Sequence, residues 1–396
     1  MIGPMSFLHV LRDAYVKFVE HRADPLNVPL ETQKAILAHF PEPRDDIERS
    51  YFQYRCQARL QGAPISALLN LCALVLLPIY ARKSPSATDA AESGADAVFL
   101  FSGRDTILPD SLRDSYSIVQ IKDYQDHSLL TREDRDYLRL LRRRYPASFY
   151  FHFKCMMKIA MYSHAIARYA PRAVICSEEY SFTSSLLTDY CAKHDTKHIN
   201  IMHGAGRYFM KGAFLHFDKF YVWDALYREH YTEMRAQPDQ FIIEIPPSLI
   251  FRKTSADLER VDYTYYLTVT SAKVFRTILH NLSVLLSHGA KIAIRPHPLC
   301  LELISPLRKD SRGFILEEYD QVPIEDSLLR TGCAISPGST VLNQAAYNHI
   351  PFIIDDISWP EYYNGPQGRE MRELLVSKDY QLLSELIGDC MGAELS

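Results

Sequence analysis

The chain predicts two doubly wound α/β domains, and three observations point to them. Short, continuous apolar runs recur along it, each ending in small or polar turn residues, as strands buried on both faces of a parallel sheet do. Segments long enough for helices separate the runs. The runs fall into two series on either side of a proline-containing connector, and 396 residues suffice for two cores of ordinary size.

In chain order, the first ninety residues read as helical, with a proline-rich break around Pro25, Pro29, Pro41 and Pro43. Gln61 to Ala81 holds no charged residue and is followed by Arg82 and Lys83. Gly62, Pro64, Asn70 and Pro78 leave about 13 residues of strong helix there, which fits a core or interfacial helix better than a bilayer span. Ser84 to Asp96 is a polar loop, and Ala97-Val98-Phe99-Leu100-Phe101 is a buried strand ending in Ser102-Gly103-Arg104-Asp105. Tyr116 to Ile121, Ala173 to Cys176, His198 to Met202 and Phe220 to Trp223 continue the first series. Asp239 to Arg260, with Pro246-Pro247, reads as the interdomain connection. The second series is Tyr266 to Val269, a helix from Lys273 to Ser287, Ile292 to Ile294, Phe314 to Leu316, Ala334-Ile335 and Phe352 to Ile354. The expected division is a helical region 1–90, a first Rossmann-like domain 91–245 expected to hold the acceptor, a second 246–380 expected to hold a nucleotide donor, and a C-terminal helix or tail 381–396.

A formal net charge of -4 gives no general reason to expect nucleic acid as partner. Arg142-Arg143-Arg144, preceded by Arg135 and Arg139, is a local basic run: a solvated helix face, or a dock for an anionic lipid or polymer. The cysteines lack CxxC spacing, which points to neither a zinc site nor a disulfide framework and fits a reducing cytosol. Arg12, Asp13 and Lys17 interrupt the apolar character that a secretory leader needs. No GxGxxG follows a strand, and neither a GxxxxGK[ST] loop nor a GxSxG elbow is present, which argues against a dinucleotide enzyme, a P-loop hydrolase and a serine hydrolase.

Four strand ends carry the chemistry. Ser336-Pro337-Gly338-Ser339-Thr340 leads from a small apolar strand into an alanine-rich helix. The unpaired N–H groups of such a helix start, its dipole and the two hydroxyls make a phosphate cradle, although Ser and Thr are also the usual residues of a plain N-cap. Upstream, Arg295-Pro296-His297-Pro298 places one imidazole between backbone-fixing prolines, ready to donate to a phosphate or leaving-group oxygen. Glu178-Glu179 stand where a first-domain strand stops; like-charge repulsion is expected to raise one carboxyl and make it a general base. His203-Gly204 allows close backbone approach, and His203 with Arg207 would hold an anion or share the base role. Arg207 and Arg295 are candidate partners of a sugar carboxylate. Ser271 and Glu318, at second-domain strand ends, are candidates for base and ribose contact. No DxD-like motif stands at a strand end, since Asp355-Asp356 follows the last clear strand, so metal independence is expected.

The order of these elements, Glu178-Glu179-Tyr180, His203-Gly204, the His297-Pro298 element and Ser339-Thr340, resembles the GT-B glycosyltransferases of bacterial surface polysaccharide synthesis that use CMP-activated donors. The similarity covers residues 95–370 and is strongest to bacterial polysialyltransferases and lipooligosaccharide sialyltransferases, with the capsule enzymes that transfer Kdo. It implies two Rossmann-like domains facing a cleft, Glu178 or Glu179 as the base, His297 on the CMP phosphate, and Ser339 and Thr340 as further phosphate contacts. The acidic pair of that family is commonly followed by Gly, where this chain has Tyr180. The His203-Gly204 turn is also similar to that of teichoic-acid-type polymerases using CDP-glycerol, in which the corresponding histidine is the proposed base. The activity this resemblance implies is an inverting, metal-independent transfer of an acidic sugar from a CMP donor to a surface glycan. The site would be at the cytoplasmic face of the inner membrane, with peripheral membrane contact through the apolar stretch or the basic run. A CDP-polyol phosphotransferase or other sugar-nucleotide enzyme, and a non-catalytic scaffold, are the competing readings.

Overall fold

The structure is a computed structural model that describes residues 28–81, 95–100, 105–121, 130–177, 179–202, 204, 210–251, 259–297, 305, 313–318 and 320–393. Two all-parallel six-stranded sheets carry it. The described residues begin with helices α1 (Leu30–Leu37), α2 (Asp46–Gln61) and α3 (Ala63–Ala81). Asp45 caps α2 by accepting from the Glu48 amide, and Gly62, at φ +85°, turns the chain sharply into α3. Helix α3 runs through Pro78, so the prolines do not shorten it to the length expected from the sequence.

The first sheet comes next: β1 (Ala97–Leu100), α4 (Asp110–Ser115), β2 (Ile118–Gln120), α5 (Arg132–Arg144), α6 (Phe149–Tyr169), β3 (Ala173–Ser177), α7 (Ser184–Ala192), β4 (Lys197–Ile201), β5 (Lys219–Val222), α8 (Ala225–Glu233) and β6 (Phe241–Ile243). A reciprocal capping box of Thr131 and Asp134 starts α5. Strand order is β2-β1-β3-β4-β5-β6, so the winding direction reverses between β1 and β3. Ile47 and Tyr54 of α2 share one core with Val98, Val174, Phe151 and Ile159. The region 1–90 therefore includes helices that belong to the first domain instead of standing apart from it.

The second sheet comprises β7 (Val261–Tyr266), α9 (Ala272–Ser287), β8 (Ile292–Arg295), β9 (Ile315–Leu316), α10 (Ile324–Arg330), β10 (Thr331–Ser336), α11 (Thr340–Tyr347), β11 (Phe352–Ile354), α12 (Pro360–Tyr363), α13 (Pro366–Glu373), β12 (Gln381–Leu382) and α14 (Leu383–Ala393). Its order, β12-β11-β10-β7-β8-β9, is that of a Rossmann domain, with the reversal between β7 and β10. Cores on both faces complete it: Phe275, Ile278, Leu282 and Leu383 on one, Leu328, Leu342, Ala345 and Leu375 on the other. The described chain thus builds two doubly wound α/β domains, each on one parallel sheet.

Three boundaries differ from those expected of the sequence. Phe241–Ile243 is the sixth strand of the first sheet, inside the segment taken as connector. Strand β7 spans Val261–Tyr266, earlier than the expected Tyr266 to Val269, because its Tyr-Thr-Tyr-Tyr run is paired to both β8 and β10. The tail 381–396 supplies β12, which pairs with β11, and α14, which packs on α9, so the second domain does not end at 380.

Candidate functional site between the carboxyl ends of the two sheets

In open parallel sheets, ligands bind outside the carboxyl ends of the strands at the point where the winding reverses. Glu179 follows β3 at that point of the first sheet, and Ser336 to Thr340 follows β10 at that point of the second. Helix α11 ties the two regions together. Its Asn343 donates to the Tyr227 hydroxyl (3.1 Å), and the Tyr347 hydroxyl donates to Asp224 (2.5 Å) just beyond β5. Asn348 adds a bond to the Leu249 carbonyl (2.7 Å). The helix that starts at the candidate cradle thus rests its middle and far end on the first domain.

Glu179 is half-buried, and both of its carboxylate oxygens have partners. Lys158 of α6 forms an ion pair with one carboxylate oxygen, the Ser181 hydroxyl donates to the other (2.5 Å), and the Glu179 amide donates to Asn200 Oδ1 (3.2 Å). Burial alone would raise this carboxyl; the Lys158 ammonium and the Ser181 hydroxyl outweigh it and bring it down to about 2. That reverses the expected direction. A carboxylate so easily kept ionised is a poor proton acceptor near neutrality. One turn earlier on the same helix, the Lys154 ammonium is pushed down by burial and by Lys158. The Asn200 side-chain Nδ2 is buried and has no partner among the described residues. Sequence reading missed Lys158; the available signal was two lysines at i, i+4 on a largely apolar helix.

Glu178, His203 and Arg207 lie outside the described residues, while Gly204 is half-buried beyond β4. Of the first-domain candidates, the structure therefore brings Glu179 and Gly204 to adjacent strand ends.

In the second domain, Ser339 is the N-cap of α11, its hydroxyl accepting from the Val341 amide (3.3 Å). Thr340 is the first helical residue. The Ser336 hydroxyl is buried and donates to the Tyr266 carbonyl (3.0 Å), latching β10 to β7, so it faces the sheet and not a ligand. Gly338 is needed for a close approach. A Cβ there would meet the Tyr362 hydroxyl at 2.6 Å, and Tyr362 is itself stacked on Trp359 (4.9 Å between ring centroids). The Tyr362 phenol lies against the turn where a phosphate would sit. The aromatic run after β11 is the only sequence trace of it.

Arg295 is the clearest correction. Its guanidinium is buried, paired with Glu317 (3.3 Å) and donates to the Val322 carbonyl (2.8 Å), while Arg330 Nε donates to the other Glu317 oxygen (2.7 Å). The Ser327 hydroxyl also donates to Glu317 (2.5 Å). Nη1 of Arg295 is thus committed to Glu317 and the Val322 carbonyl, and the buried Glu317 carboxylate ties Arg295, Arg330 and Ser327 together. His297 follows at the carboxyl end of β8, half-buried and next to β7. Ser271 caps α9 by accepting from the Val274 amide (3.3 Å), five residues beyond the end of β7, and the neighbouring Thr270 hydroxyl is buried without a partner among the described residues. Glu318 is half-buried, its carbonyl accepting from Gln321 and Val322.

Asp355 and Asp356 are both committed: Asp355 accepts from the Tyr265 hydroxyl (2.6 Å) and from the Ile357 and Ser358 amides, and Asp356 accepts from Ser384. Among the described residues no three His, Cys, Asp or Glu side chains gather as a metal site. A cavity at the β2 edge, lined by Asp105, Arg113, Tyr116 and Gln120, has its guanidinium spent on the backbone: Arg113 donates to the carbonyls of Leu108 (3.4 Å) and Asp105.

No protein-family profile and no curated protein matches the sequence. Solved structures are similar to it at TM-scores below 0.5. The UDP-N-acetylglucosamine 2-epimerase of Rickettsia bellii is 8% identical with a TM-score of 0.42, over 76% of this chain and 94% of that one. The UDP-GlcNAc 2-epimerase of Methanocaldococcus jannaschii, determined with UDP-GlcNAc and UDP, is 8% identical with a TM-score of 0.39, over 61% and 74%. The wall teichoic acid polymerase TagF is 10% identical with a TM-score of 0.44, over 82% and 87%.

Proposed function

We propose that this chain is an inverting glycosyltransferase that moves an acidic sugar of the sialic acid or Kdo type from a CMP-activated donor to a bacterial surface glycan. The observation that carries the reading is the polar chemistry at the two reversal points: Glu179, paired with Lys158, at a strand end of the first domain, and the Ser339-Thr340 helix start of the second, with His297 at the end of β8, two strands over. In a single in-line displacement, the acceptor oxygen bonds to the anomeric carbon as the bond from that carbon to the CMP phosphate oxygen breaks, and CMP departs with the electron pair. The acceptor proton passes to a base. Departing phosphate is weakly basic, so donors on it matter more than a strong acid; His297, the α11 amides and the Tyr362 hydroxyl are the donors assigned here. The low carboxyl of Glu179 moves the base to Glu178 or His203. No metal is assigned a role.

A second reading, transfer of a polyol phosphate from a CDP-activated donor, gains from the same Glu179 observation, because it uses the histidine of the His203-Gly204 turn as base. Incubating the protein with CMP-sialic acid, CMP-Kdo and CDP-glycerol and following nucleotide release separates the two. Release of CMP from a CMP-sugar, undiminished by excess EDTA, is expected. Release from CDP-glycerol alone would favour the second reading, and a metal-rescuable loss in EDTA would sink the claim of metal independence.

A further inference from the structure

Helix α3 presents an apolar face that nothing among the described residues covers. Its inner side is docked: Asn70 donates to the Tyr54 hydroxyl (3.3 Å) and accepts from the Tyr150 amide (3.1 Å), Ala73 is buried, and Leu77 and Tyr80 pack on the first-domain core. The outer side runs as one stripe through Leu68, Leu71, Leu74, Val75 and Ile79, each about half exposed (47–60%). Pro64, Ala67, Cys72 and Pro78 fill the same side. The helix has 19 residues and enough apolar length to cross a bilayer, but with one side fixed to α6 and α2 it cannot leave the domain to do so.

We infer that this face seats α3 in the plane of an anionic bilayer, at the boundary of headgroups and acyl chains. Two observations select lipid over protein. The stripe carries no charged or rim-like polar residue, whereas protein interfaces surround an apolar centre with a polar rim. A helix about 28 Å long and about 10 Å wide offers roughly 300 Å², well below the ~800 Å² each partner gives to a standard interface. Charge then selects an anionic surface. Between Glu48 and Asp89 the sequence contains no acidic residue, while Arg55 and Arg59 are exposed on α2, and Arg82 and Lys83 follow α3 in the sequence. The same docking puts Asn70 against the first turn of α6, whose Lys158 reaches Glu179, so a membrane-borne acceptor would approach the first-domain strand ends from this side. The inference does not depend on which nucleotide the second domain binds.

The test is flotation of the full chain with vesicles of phosphatidylcholine alone or mixed with phosphatidylglycerol. Wild type is expected to float with the anionic vesicles and less with the neutral ones, and added salt should release it. Leu71→Glu/Val75→Glu should lose at least about tenfold in binding, while keeping the wild-type Tm and nucleotide-induced Tm shift. Arg55→Gln/Arg59→Gln, which leaves the apolar stripe untouched, should lower binding to anionic vesicles alone. Wild type that stays with the lipid-free fraction would overturn the inference, as would a Leu71→Glu/Val75→Glu chain that floats like wild type. So would a wild-type dimer in sedimentation that this variant converts to monomer, since a second copy would then be what covers the stripe.

Discussion

Replacing Lys158 by methionine removes the ammonium that holds Glu179 ionised while keeping the length and apolar stem of the side chain. In the folded protein the Glu179 carboxyl sits at about 2 against an ordinary 4.5. That difference corresponds to roughly 3 kcal/mol of stability linked to the ionised form, at the lower end of the ~3–5 kcal/mol lost when one partner of a buried pair is removed. The sign comes from the depressed folded value. The stabilisation is fully present above about pH 4.5, where the unfolded carboxyl is already ionised, and is lost as the pH falls toward 2. At about 2–4 °C per kcal/mol for a domain of this size, Lys158→Met is expected to lower Tm at pH 7 by roughly 6–12 °C. The gap to wild type should narrow as the pH is lowered from 5 to 3, read by calorimetry or near-UV circular dichroism. An unchanged Tm at pH 7, or a gap that does not vary with pH, would refute the assignment of Lys158 as the group that sets the Glu179 carboxyl. The same low value bears on catalysis: Glu178→Gln or His203→Ala is expected to abolish turnover, whichever is the base, whereas a base role for Glu179 is not expected.

Glu317→Gln leaves Arg295 and Arg330 buried with half their compensation, so urea unfolding should show a loss of about 3 kcal/mol; a loss below about 1 kcal/mol would mean that the triad is not structural. Gly338→Ala drives a Cβ to 2.6 Å from the Tyr362 hydroxyl and should cost about 1–3 kcal/mol, with most of that cost absent in a Tyr362→Ala background. Equal costs in both backgrounds would place Tyr362 away from the turn. Ser339→Ala should lose about 1 kcal/mol from the α11 cap and weaken nucleotide binding as well, whereas a stability loss with unchanged binding would reduce Ser339 to a plain cap.

The strands most legible in the sequence are those buried on both faces. Ala97–Leu100, Ala173–Ser177, Ile292–Arg295 and Phe352–Ile354 are continuous apolar runs because helices cover both sides of a parallel sheet. Edge strands are harder to see. Gln381–Leu382 is two residues long and half-exposed, so no run marks it, and Phe241–Ile243, an apolar run as short as Phe352–Ile354, is hidden by lying next to the Pro246-Pro247 connector. Val261–Tyr266 alternates Asp262 and Thr264 with tyrosines, which hides a central strand behind polar letters. The helix-start cradle at Ser339-Thr340 is legible because turn chemistry is local. The fate of Arg295 is not, since its partners Glu317 and Arg330 are brought to it by the pairing of β8 with β9 and by α10, which no local pattern encodes. Glu179 fails for a related reason: its sequence neighbour suggests a raised carboxyl, but Lys158, from a different helix, decides the direction.

The central claim is that the second domain reads a cytidine monophosphate through the turn after β10 and the imidazole after β8. A thermal-shift or calorimetric panel of CMP, CDP, UDP, GDP and ADP on wild type and His297→Ala tests it most directly. Stabilisation by CMP above the other nucleotides, lost in His297→Ala with the unliganded Tm unchanged, is the predicted result. Preference for UDP, GDP or ADP, or binding of CMP that His297→Ala leaves intact, would contradict it.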